Sequence, residues 1–382
     1  MIECSKYKLS ECCLSISDGD HLPPPKVDAG IPFITISDID SSNRLNLDVK
    51  QFVPEEYYNN LKDIRKAQRN DILYSVVGSF GIPVIIKGND KFAFQRHIAI
   101  LRPDSTKVIP DYLFYIMKTY NFYMQADSVA IGAAQRTISL TALRNMTVEL
   151  PSMDVQKKIA TVLSRYDSLI ENYQKQIKLL EEAAQRLYKE WFVNLRFPGH
   201  ENTKIVDGVP EGWEKKKLGS IAPILTGKKD ANYGTPDGNY PFFTCSQEPI
   251  KAPSYSFDAE AVLLAGNGDF NVKLYRGKFE AYQRTYVLIP SNADLLYVLY
   301  NSVAKNMVKL ANGASGSTIK FLTKRMIENI DVLVPTNTIL NEYNSLRRKI
   351  QQDLENIKSQ LRLLTESRDR LLPKLLSGEI EV

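Results

Sequence analysis

The chain repeats itself, and that repeat limits its possible folds more than its composition does. Leu179, Leu180, Glu182, Arg186 and Leu187 return as Leu363, Leu364, Glu366, Arg370 and Leu371, an offset of 184. NMTVELP (145–151) returns as NIDVLVP (329–335), again 184 apart. Other matches keep the same order at other offsets. GAAQRTI (132–138) matches GASGSTI (313–319) at 181, and FAFQRHIAI (92–100) matches EAYQRTYVL (280–288). ILYSVVGSF (72–80) answers VLLAGNGDF (262–270) at 190; GIPFI (30–34) answers NYPFF (239–243) at 209; YKL (7–9) answers KKL (216–218). Ordered matches of this kind describe two copies of one unit. The offset falls from 209 to 190 between the Phe33 and Gly78 regions, so the first copy is 19 residues longer there. Divergence of that sort is expected of a surface adapted to a different target.

Each copy ends in a long heptad helix. Ile159, Leu163, Tyr166, Ile170, Tyr173, Ile177, Leu180, Ala184, Leu187 and Trp191 alternate at spacings of four and three. Adding 184 gives Tyr343, Arg347, Ile350, Leu354, Ile357, Leu361, Leu364, Arg368, Leu371 and Leu375, the same seam with two arginines in it. Either helix alone would leave its seam in water, so the two seams should bury against each other. A helix of about 38 residues spans roughly 57 Å, which suits a spacer between globular units. A plain pair of core helices in one compact domain is the alternative.

The remainder of each copy mixes short β-rich runs (IPFITI, IPVIIK, FAFQRHIAIL) with helical pieces (DYLFYIMKTYNFYMQA, NADLLYVLYNSVAKNMVKL). Gly, Pro, Asn and Asp punctuate them. The predicted fold class is α+β: two homologous mixed domains, 1–150 and 196–334, with long helices over 151–195 and 335–382 forming an antiparallel coiled coil with an internal pseudo-two-fold repeat.

Composition excludes several function classes. With 43% hydrophobic residues and a formal charge of +5, the chain reads as a soluble globular protein compatible with nucleic acid. No apolar run approaches the ~20 residues of a membrane span. Four cysteines without a C-x-x-C pair, beside three histidines, give no zinc spacing and read as free thiols of a reducing cytoplasm. ILTGKK lacks the upstream glycine and the following Ser/Thr of a phosphate loop, and AGNGD (265–269) reads as a tight turn. No Asn/Asp-Pro-Pro-aromatic tetrapeptide occurs, and His21 and His97 are not echoed in the second copy. Catalytic residues and bound metal are therefore not expected in this chain.

Five stretches carry a resemblance: RLYKEWFVNLRFPG at the end of the first helix, GVPEGWEKKKLGSI opening the second copy, RDRLLPKLLSGEIEV at the terminus, and the DGDHLPPP and GIPFI elements. Over essentially its whole length the chain resembles the specificity (S) subunits of type I DNA restriction–modification systems. The resemblance implies two target recognition domains, each reading one half of a bipartite, asymmetric DNA target. It also implies a coiled coil that sets the spacer and docks two methyltransferase subunits, with restriction subunits as optional partners. Adenine N6 would be methylated from S-adenosylmethionine held by the partner, so the chain itself would be non-catalytic, cofactor-free and cytoplasmic. A two-fold related pair of readers places half-site centres roughly 34 Å apart, one turn of the duplex. A stand-alone modifying enzyme with an unrecognised site and a purely protein-binding coiled-coil scaffold are the competing classes.

Within that reading, particular side chains are candidates for DNA contact. Gln95–Arg96 and Gln283–Arg284 occupy the same place in both copies; they read base edges or, alternatively, each arginine neutralises a buried carboxylate. Gln135–Arg136 is replaced by Gly316–Ser317 with Lys320 close by, and with Ser79, Asn267 and Ser315 these suit backbone and hydroxyl contacts to phosphate. Lys26, and Lys228–Lys229 at the corresponding point before YPFF, suit phosphate neutralisation. For partner binding the expectation falls on the outward faces and ends of the helices, including Tyr188, Trp191 and Phe192, matched by Leu375 and Leu376.

Overall fold

The computed structural model describes all residues except 1–3, 22, 41, 134 and 317–319. The chain forms two compact units, Met1–Gln174 with Gln360–Val382, and Lys175–Ser359. The division falls inside both long helices, Met153–Phe192 and Asn337–Ser377.

In the first unit, Ser5–Lys8 pairs antiparallel with Thr147–Leu150. A four-stranded antiparallel sheet runs Cys13–Asp18, Ile98–Pro103, Ile72–Ser75, Pro83–Ile85. A three-stranded sheet runs Phe52–Val53, Ile31–Ile34, Ala93–Phe94, its last pair parallel. In the second unit Glu214–Lys217 pairs with Asp331–Val334, and one six-stranded sheet runs Ile224–Thr226, Thr285–Leu288, Phe257–Ala265, Val272–Ala281, Tyr240–Phe243, Ile250–Ala252. Apart from the hairpin of Ile205–Val206 with Val209–Pro210 in the second unit, the units share one strand plan. The difference lies in one strand: Val272–Ala281 is continuous, whereas its first-unit counterpart is broken into Pro83–Ile85 and Ala93–Phe94 by the turn-forming Lys87-Gly88-Asn89-Asp90.

Strand register measures the repeat residue by residue. Leu9 N–H donates to Met146 O as Leu218 N–H donates to Ile330 O, which confirms the offsets of 209 and 184. The excess of the first unit is split. Val53 pairs with Ile31 as Ala252 pairs with Tyr240, so part of the insertion precedes Val53. The rest includes the helix Glu55–Asn60. Gly19 and Gly227 mark a shared close approach. A Cβ there would lie 2.1 Å from Phe94 O and 1.8 Å from Ala281 O, so only glycine lets the chain cross the neighbouring strand.

The register also corrects two alignments. Ile131 bridges Thr137 as Ser315 bridges Phe321, and Ile138 N–H donates to Val76 O as Leu322 N–H donates to Gly266 O. Gly132 and Gly316 share φ near +107° and +108°. The offset there is 184, not 181, so Lys320 stands where Arg136 stands, and Gly316–Ser317 does not replace Gln135–Arg136. Gly313 ends a helix and is not the loop glycine.

The two seams bury as expected. Every seam position named above is buried or half-buried. In the first unit, antiparallel pairing is fixed by Asp167 with Arg368 (2.8 Å) and Lys158 Nζ with Val382 O (3.0 Å); in the second, by Glu181 with Lys358 (2.8 Å) and Trp191 against Tyr343 (5.7 Å). The two seam arginines are handled differently. Arg368 reaches Asp167, whose other oxygen accepts from Tyr115 Oη at 2.7 Å; burial and that carboxylate push the Tyr115 phenol well up. Arg44, in the insertion, donates to the Asp167 carbonyl at 3.2 Å and lies 3.4 Å from Glu171. Arg347 is 3% exposed and has no carboxylate: it donates to Gln351 Oε1 at 3.2 Å, lies 4.9 Å over the Tyr297 ring, and leaves its Nε unpaired.

The helices are not domains apart from the mixed α+β parts of the units. Ile159, Ala160, Leu163 and Leu375 share one core with Leu9, Tyr74, Tyr112 and Leu113. Tyr188, Trp191, Phe192, Leu340 and Tyr343 share another with Trp213, Leu218 and Leu296. The residues expected to bind a partner are therefore core residues. Tyr188 is 9%, Trp191 7%, Phe192 4% and Leu375 1% exposed, and half-buried Leu376 packs on the first core. Phe192 packs on Tyr343 at 4.9 Å and Trp213 at 5.4 Å, and Tyr188 Oη meets Ser302 Oγ at 2.9 Å. Apolar residues beside the seam widen the stripe, and a wide stripe docks on a sheet-and-helix core rather than on a foreign chain. Trp191→Ala should cost about 3–5 kcal/mol of stability. Urea unfolding followed by circular dichroism checks this; an unchanged midpoint contradicts the core assignment.

Candidate nucleic-acid interface

Three turns in each unit are tied into one frame by backbone hydrogen bonds. The first is Val76–Phe80, or Gly266–Phe270 in the second unit. It closes with Phe80 N–H on Gly78 O (2.9 Å) and Phe270 N–H on Gly268 O (3.1 Å), at φ +70° and +65°. The reading of AGNGD as a tight turn holds. The second is Gln95–Ile98, or Tyr282–Thr285, closed by Ile98 N–H on Gln95 O (3.1 Å) and Thr285 N–H on Tyr282 O (2.8 Å). The third is the 131–138 or 315–322 loop. Val76 N–H donates to His97 O and Gly266 N–H to Arg284 O, while Val77 bridges Thr137 and Asn267 bridges Phe321. Paired groups of this kind leave the backbone no slack, so differences between the units lie in side chains.

The second turn overturns another alignment. Ala93 pairs with Phe33 and Glu280 with Phe242, so Gln95 corresponds to Tyr282, Arg96 to Gln283 and His97 to Arg284. The two Gln-Arg pairs are one residue out of step. Arg96, Gln283 and Arg284 are exposed, and among the described residues neither arginine makes a side-chain hydrogen bond or ion pair. Neither neutralises a buried carboxylate. Asp71, 2% exposed, is held by Arg102 at 2.9 Å, and fully buried Glu280 accepts from Ser256 Oγ at 2.7 Å and Ala281 N–H at 2.9 Å.

Other expected residues divide. Arg136 is occupied: its guanidinium is forked onto the Asp127 carboxylate and carbonyl and lies 5.3 Å over Phe80, whose other neighbour is the stacked Tyr123 ring. Its counterpart Lys320 is exposed, as are Gln135, Ser79 and Ser315; Asn267 is half-buried, and Ser317 lies outside the described residues. Lys228 is exposed and Lys229 lies 4.3 Å over the Tyr233 ring. Lys229 bridges Tyr282 as Asp20 bridges Gln95, so Lys26, although exposed, is not its counterpart. Asp20 there accepts from Tyr57 Oη and Arg65, both at 3.0 Å. In the second unit Gln283, Arg284, Gly266, Tyr286, Phe321 and Leu322 line an open cleft of about 170 Å³. Burial raises the Tyr286 phenol and Arg284 pulls it partly back, so it stays protonated and donates to Leu322 O at 2.8 Å. Such a surface offers fixed donors and cations to base edges and phosphates.

The expected outward helix faces carry leucines that the heptads do not single out. In the second unit Leu179 (63% exposed) and Leu346 (44%) line a groove of about 690 Å³ with Leu187, Trp191, Ile350 and Arg186. Leu363, the repeat partner of Leu179, is 51% exposed in the first unit. The available signal was a leucine doublet, Leu179–Leu180 and Leu363–Leu364, in which one member must face away from the seam.

The profile of the family described as type I restriction modification DNA specificity domain matches residues 13–182 and again 210–364. The type I restriction enzyme MjaIX specificity subunit of Methanocaldococcus jannaschii is 28% identical over 306 residues, 72% of this chain and 70% of that protein. The EcoDI specificity subunit of Escherichia coli is 36% identical over 178 residues, 45% of this chain and 39% of that protein. A crystal structure of a type I restriction-modification S subunit from M. genitalium shares the fold, with a TM-score of 0.67 at 16% identity over 98% of this chain and 96% of that one. Among the described residues no helix is long and apolar enough to cross a membrane.

Arg284→Ala and Lys320→Ala should each weaken duplex binding and lower the slope of log K against log salt by about 1. Arg136→Ala should leave the slope unchanged and lower the thermal stability instead. Fluorescence anisotropy across a salt series separates these outcomes.

Proposed function

Since the chain belongs to the type I restriction–modification DNA specificity family, as the two matched segments show, we propose that each of its units reads one half of a bipartite DNA target for a methyltransferase that other subunits supply. The observation that carries this is the duplicated three-turn frame, whose backbone bonds repeat while its exposed side chains differ. A repeated frame with unlike readers suits an asymmetric target, as a dimer with like readers suits a palindrome.

Two methyltransferase subunits dock on the helix pairs at the outward leucines, Leu179 and Leu346 in one unit and Leu363 in the other. Their exposure and repeat relationship support this place over Tyr188, Trp191, Phe192, Leu375 and Leu376, which are needed inside. S-adenosylmethionine is held by those partners, and adenine N6 is the methylated atom. Restriction subunits are optional partners of the same core in the cytoplasm, and this chain contributes recognition without catalysis. The two helices set the number of unread base pairs between half-sites.

Methyl transfer from labelled cofactor tests the assignment. The purified chain should transfer none, and the chain with its cognate methyltransferase subunit should label duplex DNA at a two-part sequence. Transfer by the chain alone would make it an enzyme, and no DNA binding in any assembly would make it a scaffold. Inserting about one helical turn in the central helix should lengthen the spacer and leave both half-sites unchanged. Sequencing of methylated sites reads this directly, and altered half-site bases would contradict it.

A further inference from the structure

One position in the duplicated frame changes its hydrogen-bonding chemistry while its backbone does not. Arg96 and Gln283 are each the second residue of the second turn, directly after the residue whose carbonyl closes it. The next residue in each unit, His97 or Arg284, has its carbonyl pinned by the N–H of Val76 or Gly266. Both side chains are exposed, and neither is committed to a neighbour among the described residues.

The surrounding positions suit other roles. Arg284 and Lys320 are cationic; a cation at the edge of a frame suits phosphate, which is the same in every sequence. Arg136 is tied to Asp127 and Phe80 and is not available. Asp269, the counterpart of Ser79, accepts from Gln247 at 3.2 Å. That leaves the position where a guanidinium in one unit becomes a carboxamide in the other. A guanidinium donates twice to O6 and N7 of guanine, whereas a carboxamide accepts from N6 and donates to N7 of adenine.

We infer that this position determines specificity in both half-sites: Arg96 reads a guanine in the half-site of the first unit, and Gln283 reads an adenine in that of the second. The inference rests on the DNA-reading role proposed above and names the side chain that does the reading. It corrects the apparent identity of the two Gln-Arg pairs, which would have the units reading alike at this point.

The test exchanges the two residues. Arg96→Gln and Gln283→Arg each install a side chain that the sister frame already carries, so the fold should tolerate both; thermal unfolding of each variant confirms it. Each variant is assembled with the cognate methyltransferase subunit and offered a duplex library randomised across the target, and methylated molecules are sequenced. Arg96→Gln should move the preference at one base pair of one half-site from guanine to adenine by roughly ten-fold or more, leaving the other half-site as in the wild type. Gln283→Arg should do the converse in the other half-site. Arg96→Ala should relax the preference at that same single position. If folded variants keep every wild-type base preference, at full or reduced rate, or lose methylation of all sequences, the inference fails. A wild-type assembly that shows no two-part preference would instead sink the DNA-reading role itself, so the two failures are distinguishable.

Discussion

The structure depends on apolar residues at the helix ends that belong to two surfaces at once. Trp191 and Tyr343 face each other as seam residues and also sit in the core that holds Trp213 and Leu296. Leu163 and Leu375 do the same beside Leu9 and Tyr112. Burying a large apolar side chain is worth about 1.5–3 kcal/mol, and sharing each one between seam and core couples the helix pair to its recognition unit without a hinge. A recognition surface joined to its helices by a flexible linker would present its side chains at variable angles, whereas here linker and core are one body within each unit.

On that foundation the hydrogen-bonded frame separates what is held constant from what varies. Gly19 and Gly227 admit no side chain, and the carbonyls of His97 and Arg284 are fixed by neighbouring N–H groups. The buried carboxylates Asp71 and Glu280 are satisfied by Arg102, Ser256 and a backbone N–H. Because that internal demand is met elsewhere, Arg96 and Arg284 are left without an ion pair among the described residues at the surface. The first unit adds a restraint that the second lacks: Arg44, within the insertion, rests on the Asp167 carbonyl and Glu171, so the longer copy is braced against its own helix.

The sequence disclosed the duplication, both seams and the mixed α+β character, because heptad spacing and turn residues are local signals. It disclosed less where pairing decides. The broken strand around Gly88 and the two-part insertion are visible only once Pro32 and Pro241 have partners. Gln-Arg twice in similar contexts invited a match one residue out of step, and only the bonds to Phe33 and Phe242 show which residues share a place. Aromatic residues at the helix end looked like a docking surface because a heptad count cannot see the core that closes over Phe192 and Tyr188.

Arg347 is the costliest member of its seam, a buried guanidinium over the Tyr297 ring with one nitrogen unsatisfied. An all-leucine stripe tolerates sliding by a heptad, since each layer looks like the next. Sliding this one would carry a charge off its aromatic seat and into a leucine layer, where nothing accepts it. The second unit's helix pair therefore has a single setting along its length, which the spacer role proposed for it requires.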